Sequence, residues 1–127
     1  MSVLEINNYE LFNTKLNENS MTVVVFSAGF CKPCKEIYPF IQEQAEKNTN
    51  ITFIKVDIEA GYEISEKYDI QTIPHFKFFK NNDEIVTFSG ANRTSITDAI
   101  NKLIEQVNEI QNIVSAKLIE KLFIFII

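Results

Sequence analysis

Residues 22–35 read TVVVFSAGFCKPCK and hold the most informative pattern of the chain. Residues 22–26 form a continuous β-branched and apolar run. Such a run is typical of a strand that is covered on both faces, as in a sheet flanked by helices. Cys31 and Cys34 follow the run, and residues 32–47 carry apolar side chains at helical spacing. The stretch therefore predicts a strand, a short turn with two cysteines, and a helix.

A cysteine pair at the start of a helix has a defined chemistry. Cys31 is expected at the helix N-terminus, where free backbone N–H groups and the positive end of the helix dipole favour the nucleophilic thiolate. Pro33 suits the first helical turn because its missing N–H costs nothing there. Cys34 lies one turn further on, so the pair is able to attack a disulfide and then resolve the mixed disulfide. The alternative is a pair of buried structural thiols.

Periodicity outward from this stretch predicts the order helix, strand, helix, strand, helix, strand, strand, helix. The early strand–helix–strand crossovers imply parallel pairing, and the late hairpin implies antiparallel pairing. The pattern thus predicts an α/β fold with a mixed central sheet and helices on both faces. Beyond residues 22–47, the predicted elements are a helix within 7–19 capped by Asn7 or Asn8, a strand at 51–56, a helix at 61–68, strands at 75–80 and 84–89 joined by a turn at 81–83, and a long helix from Thr94.

Composition excludes several classes of function. The chain has 127 residues, 46% hydrophobic, and a net charge of −5, which indicates one acidic domain rather than a nucleic-acid or anionic-membrane binder. Two cysteines are too few for a disulfide-stapled scaffold, and His75 alone is too little to complete a zinc site, so no metal is expected. Residues 1–10 lack a secretory-signal pattern, so a reducing, cytoplasmic environment is expected.

Several motifs, in matching order, resemble the thioredoxin family. The resemblance covers about residues 3–107 and implies a thioredoxin fold over residues 1–107, followed by a C-terminal extension at 108–127 that is helical with a hydrophobic end. The stretches that resemble the family are 22–35 (strand and active-site turn), 37–40 (helix kinked at Pro39), 53–57 (central strand), 72–74 (cis-proline loop) and 88–91 (glycine turn).

The resemblance implies a thiol–disulfide oxidoreductase of cell redox homeostasis, a protein-disulfide reductase that works through the Cys31/Cys34 dithiol. Its partners would be disulfide-containing clients and thioredoxin reductase, an NADPH-dependent flavoprotein, with no cofactor bound to the domain itself. Pro74 would be cis and face Cys31, and would hold the backbone of Ile73 open for a client strand.

Four positions depart from the family pattern, and two of them belong to the implied active-site support of Phe30, Lys32, Pro33, Ile73 and Pro74. Lys32 replaces a glycine, so either its charge favours the Cys31 thiolate and makes the couple more oxidising, or it is a screened surface lysine. Phe30 replaces a tryptophan and still offers apolar cover.

The other two departures lie outside the motif. Val25 replaces the buried aspartate that is thought to take a proton from the second cysteine, which leaves Lys55, its neighbour by resemblance, without that partner. His75 replaces a threonine and is either structural or a proton relay.

Two rival functions remain open at this stage. The vacant aspartate position and the C-terminal extension favour an interaction module that keeps the fold with little or no redox activity. Lys32 is compatible with an oxidase or isomerase of the secretory pathway, which the missing signal opposes.

The C-terminal segment carries its own prediction. A stripe at spacings of three and four predicts that the last helix continues to about Ser115 or further. Residues 122–127 are all apolar, so they need cover from the same domain, from a partner or a second copy of the chain, or from a membrane surface. The stripe comprises Ile96, Ile100, Leu103, Val107, Ile110 and Val114.

Overall fold

The computed structural model describes residues 2–126, without the side chains of residues 106–112, 115 and 124–126. Five strands and four helices make up this part of the chain. They are β1 (Val3–Glu5), α1 (Tyr9–Glu18), β2 (Met21–Ser27), α2 (Lys32–Lys47), β3 (Thr52–Asp57), α3 (Tyr62–Lys67), β4 (His75–Lys80), β5 (Asp83–Ser89) and α4 (Arg93–Ile126).

The strands form one sheet in the order β1-β3-β2-β4-β5. β3 pairs in parallel with β1 and with β2, whereas β4 pairs antiparallel with β2 and with β5. Every residue of β2 is buried, as expected for a central strand covered on both faces. The predicted mixed sheet is confirmed.

Strand β1 is an addition to the predicted order, which began with a helix. It pairs with β3 through only three residues, with Val3 opposite Phe53. Three residues are too short to show a period of two, so local pattern does not reveal this strand. Asn8, rather than Asn7, caps α1, because its Oδ1 accepts the Leu11 N–H at 2.9 Å.

The β4–β5 hairpin turns through two residues rather than three. Asn81 and Asn82 both have positive φ, at 48° and 72°. Two-residue hairpin loops favour this conformation, and asparagine tolerates it better than most residues. β5 therefore starts at Asp83, one residue before the predicted start.

Alternate side chains of β2 enter two cores on opposite faces of the sheet. Val23 and Val25 pack with α2 and α4, whereas Val24 and Phe26 pack with α1 and α3. The predicted helices on both faces are therefore confirmed. The residues that these helices contribute are Ile37, Ile41, Ala45, Ile96, Ala99, Ile100 and Leu103 on one face, and Phe12, Leu16 and Ile64 on the other.

Helix α4 continues past the sheet to Ile126, as the stripe predicted. Leu103 is buried, whereas Val114 is 52% exposed; the side chains of Val107 and Ile110 lie outside the described residues. Leu122 and Phe123 are 63% and 65% exposed, so these two side chains do not fold back onto the domain. None of the helices in residues 2–126 combines the length and the apolarity that a bilayer crossing requires.

Candidate active site

The turn after β2 places Cys31 at the start of α2. The Cys31 N–H donates to the Ala28 carbonyl at 3.1 Å, which closes the turn. Cys31 then serves as N-cap: its backbone is extended, and its Sγ accepts the Cys34 N–H at 3.3 Å. A sulfur that receives a backbone N–H at a helix N-terminus lies where negative charge is favoured. This geometry favours the Cys31 thiolate once the pair is reduced.

Cys31 and Cys34 are joined as a disulfide, with their Cα atoms 5.3 Å apart. Both are largely buried, at 7% and 5% exposed. Pro33 lies in the first turn of α2, where no intrahelical donor is lost. The predicted proximity of the two sulfurs is therefore confirmed, and the pair can alternate between a disulfide and a dithiol.

Phe30 and Lys32, on either side of Cys31, both face solvent. Phe30, directly before Cys31, is 71% exposed and presents an aromatic surface beside the disulfide. The Lys32 side chain is 86% exposed, and its Nζ lies 4.0 Å from Glu36 Oε1. Such solvated pairs contribute little, so the structure favours the surface-lysine interpretation of Lys32.

The loop before β4 completes the surroundings of the disulfide. The Ile73–Pro74 peptide bond is cis, as the resemblance implies. Ile73 packs with Ala28 against Cys31 and Cys34. The Pro74 carbonyl accepts the Gly90 N–H at 2.9 Å, which ties this loop to the end of β5.

His75 is held by β5. Its Nδ1 lies 2.8 Å from Ser89 Oγ, and its Nε2 lies 2.9 Å from Thr87 Oγ1. Burial, and secondarily the charge of Lys77, lower the pKa of His75 below its usual value. Because both ring nitrogens bond to hydroxyls of β5, the geometry supports the structural interpretation of His75 rather than the proton relay.

A half-open cleft of about 220 Å³ lies beside Cys34. Val25 is buried in β2, and its register partner on β3 is Lys55, which lines the cleft, so the predicted neighbourhood of these two residues is confirmed. Lys55 directs its Nζ over the ring of Tyr38, 4.7 Å from the centroid. Burial raises the pKa of the Tyr38 hydroxyl, and the charge of Glu5 adds to the effect.

Tyr38 and Asp57 also line this cleft, and neither was among the site residues predicted from the sequence. Two signals were present in the chain. Tyr38 lies four residues after Cys34 and thus on the same face of α2. Asp57 ends β3, and the ends of parallel strands meet at one edge of a sheet, where the turn after β2 also lies. Among the side chains that the structure describes, no group of three His, Cys, Asp or Glu gathers as a metal site.

A redox-active cysteine pair at the N-terminus of a helix, after the central strand of a mixed sheet, defines a dithiol–disulfide oxidoreductase. The chain belongs to the thioredoxin family, whose model matches residues 2–102. It is similar to sheep (Ovis aries) thioredoxin, with 36% identity over 104 residues that cover 80% of this chain and 99% of that protein. It is also similar to thioredoxin 1 of Plasmodium falciparum (isolate 3D7), with 37% identity over 91 residues, 72% of this chain and 88% of the relative.

A solved structure of Plasmodium falciparum thioredoxin superposes with a TM-score of 0.76 at 34% identity, covering 78% of this chain and 97% of that one. The architecture is therefore the thioredoxin fold. The protein is a protein-disulfide reductase that uses the Cys31/Cys34 dithiol, and the cysteine pair and the relatives favour this function over the interaction module. The family match ends at residue 102, while the predicted division of the chain between residues 107 and 108 stays a prediction.

Proposed function

We propose that Cys31 is the attacking thiol and Cys34 the resolving thiol in the reduction of client disulfides. The observation that carries this assignment is the capping geometry: Cys31 Sγ accepts the Cys34 N–H at 3.3 Å at the N-terminus of α2. Cys34 lies within the first helical turn, and its own N–H points at the other sulfur. The thiolate is therefore more favoured at Cys31 than at Cys34.

The reaction conserves atoms and electrons. The Cys31 thiolate attacks one sulfur of the client disulfide and forms a mixed disulfide, while the other client sulfur leaves as a thiolate and is protonated. The Cys34 thiolate then attacks Cys31 Sγ, the Cys31–client bond breaks, and the second client thiol is released. The protein is oxidised to the Cys31–Cys34 disulfide, and the client gains two electrons and two protons.

The client would dock on the face that carries Phe30, Ile73 and Pro74. Phe30 offers exposed aromatic area next to Cys31, and Ile73 packs against the disulfide just before the cis proline. An extended client segment is able to pair its backbone with Ile73, as strands do when they add to an exposed edge. Pro33 starts α2, and Lys32 lies at the solvent side of the motif.

Electrons would come from NADPH through thioredoxin reductase, a flavoprotein, and the protein would act in the cytoplasm. Two chemical arguments support this proposal. A dithiol that reduces clients must itself be reduced again after each cycle. Thiols are kept reduced in the cytosol, where the dithiol form would therefore be regenerated. The domain would need no bound cofactor of its own.

The apolar end of α4 would dock on another protein chain, either a second copy or a partner. The support for this role is its exposed apolar surface, which soluble proteins seldom leave uncovered. The exposed side chains include Leu118, Ile119, Leu122 and Phe123.

The assignment of the two thiols is tested by trapping. Cys34→Ser is expected to accumulate mixed disulfides with client proteins, because Cys31 still attacks and nothing resolves the product. Cys31→Ser, the matched control, should trap none under the same conditions. Non-reducing gels of protein incubated with a disulfide-containing client give the yield of each adduct. Equal trapping by both variants, or trapping by Cys31→Ser alone, would contradict the assignment.

A further inference from the structure

The resolving step needs a proton acceptor for Cys34. Cys34 is only 5% exposed, and Ala28, Ile58 and Ile73 form apolar cover around the cysteine pair. Apolar burial opposes the thiolate, yet the thiolate is the species that attacks. A proton leaving Cys34 therefore needs a polar route, and the cleft of about 220 Å³ beside Cys34 supplies one. Its volume holds several waters, since one water occupies about 30 Å³ in the liquid.

The titratable groups along this cleft are Lys35, Tyr38, Lys55 and Asp57. The two ammonium groups have no lone pair and donate only, so they stabilise a thiolate but take no proton from it. Tyr38 has its pKa raised by burial and by the charge of Glu5, so its hydroxyl stays protonated. Among the described residues, Asp57 is the one carboxylate that lines the cleft.

The carboxylate of Asp57 is held in place by backbone groups. Its Oδ1 accepts the N–H of Glu59 at 2.8 Å and the N–H of Ala60 at 3.0 Å. Its own N–H donates to Asn7 Oδ1 at 2.9 Å. The Ile58 N–H donates to the Ser27 carbonyl at 2.9 Å, so the end of β3 is tied to the end of β2, from which the cysteine turn departs.

We propose that Asp57 accepts the proton of Cys34 through a water in this cleft during the resolving step. This inference rests on the proposed role of Cys34. The Cys34 S–H bond breaks as the water takes its proton and passes another to Asp57 Oδ2. The Cys34 thiolate then displaces the client sulfur from Cys31, and the departing client thiolate takes a proton from solvent. Asp57 then returns its proton to solvent water; the cleft is open, and two of its lining residues, Gly29 and Lys35, are exposed.

The two steps separate when the reduced protein is mixed with an equimolar amount of dithiobis(nitrobenzoate), an aromatic disulfide whose thiolate absorbs visible light. The first thionitrobenzoate leaves when Cys31 attacks, and the second leaves when Cys34 resolves. Asp57→Asn is expected to leave the first release unchanged and to slow the second about tenfold or more at neutral pH. Asparagine retains Oδ1, so the bonds from Glu59 and Ala60 persist. Glu59→Gln is the matched control and should release both equivalents at the wild-type rate.

Two further readouts separate proton transfer from a structural effect. The deficit of Asp57→Asn should shrink as the pH rises, because hydroxide then removes the Cys34 proton without help from Asp57. Formate, small enough for the cleft, should restore part of the rate at neutral pH. A second release within twofold of wild type, a deficit equal at every pH, or no rescue by formate would overturn the proposal.

Cys34→Ser distinguishes this failure from a failure of the assigned thiol roles. It should release one equivalent at the wild-type rate and no second one. If instead it released none, the assignment of Cys31 and Cys34 would be wrong, and the role of Asp57 would fall with it. If Cys34→Ser behaves as expected and Asp57→Asn resembles wild type, only the role of Asp57 is overturned.

Discussion

Cys31 owes its chemistry to its position rather than to a neighbouring base. It caps α2 with its own sulfur, which accepts the Cys34 N–H. The Lys32 ammonium is exposed, so solvent screens its charge and it stabilises the Cys31 thiolate only slightly. The hydrogen bond from the Cys34 N–H to Cys31 Sγ, in contrast, is positioned by the backbone of the first turn of α2. A substitution at Lys32 should therefore disturb the redox couple less than any change that moves the first turn of α2.

His75 links stability to pH at the residue scale. Burial, then the charge of Lys77, lower its pKa below the usual value of about 6.5, while the charge of Glu84 partly opposes them. The unfolded chain thus binds a proton at His75 more readily than the folded protein does. The contribution of neutral His75 to the free energy of unfolding is fully present above about pH 6.5 and falls as the pH decreases through the lowered folded pKa.

His75→Gln should remove this part of the pH dependence, because glutamine does not titrate and still has groups to bond Ser89 and Thr87. Urea unfolding of both proteins between about pH 5 and pH 8 measures the difference. The wild type should lose stability relative to the variant as the pH falls. A difference that stays constant across the range would contradict the lowered pKa.

Individual site residues differed in how well local sequence revealed them. Cys31 and Cys34 were predictable because strand, spacing and helix start coincide within fourteen residues, and the cis bond at Pro74 followed from the resemblance. The cleft was not, because it forms only where α2 packs over the end of β3 and brings Asp57 beside Cys34 and Tyr38. Contacts between separate elements leave no mark in local periodicity.

At the scale of elements, the ends of β2 and β3 carry the site together. Gly61 is the N-cap of α3 and follows closely after the end of β3. A Cβ built on Gly61 would lie 2.8 Å from Val56 Cγ1 and 2.9 Å from the Asp57 carbonyl oxygen. The Asp57 carbonyl oxygen is a backbone atom and cannot move aside as the end of a flexible side chain can. The glycine thus allows α3 to start close against β3, which keeps Asp57 at the edge of the sheet.

Gly61→Ala should lower the free energy of unfolding by about 1–3 kcal/mol, the usual cost of overpacking a tight site. Gly29→Ala is the matched control, since a Cβ there meets no atom within 4 Å among the described residues. Urea melts of the two variants against wild type decide between them. Equal stability of Gly61→Ala and Gly29→Ala would show that α3 shifts at no cost.

The order of elements was predictable where elements were long and periodic, and less so at the edges. Helices α2 and α4 match their predictions because each shows the helical period over several turns, and strand β2 does so because its apolar run is continuous. Strand β1 was not predicted because three residues are too few to show a period. Its Val3 instead pairs with Phe53, which lies fifty residues further along the chain. Long-range pairing, rather than local propensity, decides such a strand.

At the scale of the whole molecule, a compact redox domain continues into a helix that carries an uncovered apolar surface. The family match ends at residue 102, and α4 runs on to Ile126. Leu122 and Phe123 are more than 60% exposed. The sequence showed that these side chains would need cover, and only the fold shows that the domain itself does not cover them.

Truncation after Glu109 should leave disulfide reduction largely intact, because the cysteine site is built from residues far from the tail. It should also change the solubility or oligomeric state, as measured by light scattering. In the full chain, Leu122→Ser with Phe123→Ser should act like the truncation, whereas the control pair Glu120→Ser with Lys121→Ser should not. Loss of disulfide reduction in a truncated protein that is still folded would show that the tail belongs to the active surface.

Insulin reduction shows whether the Cys31/Cys34 dithiol reduces protein disulfides. The protein is incubated with insulin, NADPH and thioredoxin reductase, and NADPH oxidation is followed alongside the turbidity of the released insulin chain. The wild type should consume NADPH and precipitate the chain, and Cys31→Ser should do neither. Two results would show that this dithiol does not reduce protein disulfides. One is insulin reduction by Cys31→Ser at the wild-type rate. The other is no reduction by the wild type, even when a chemical dithiol replaces the reductase.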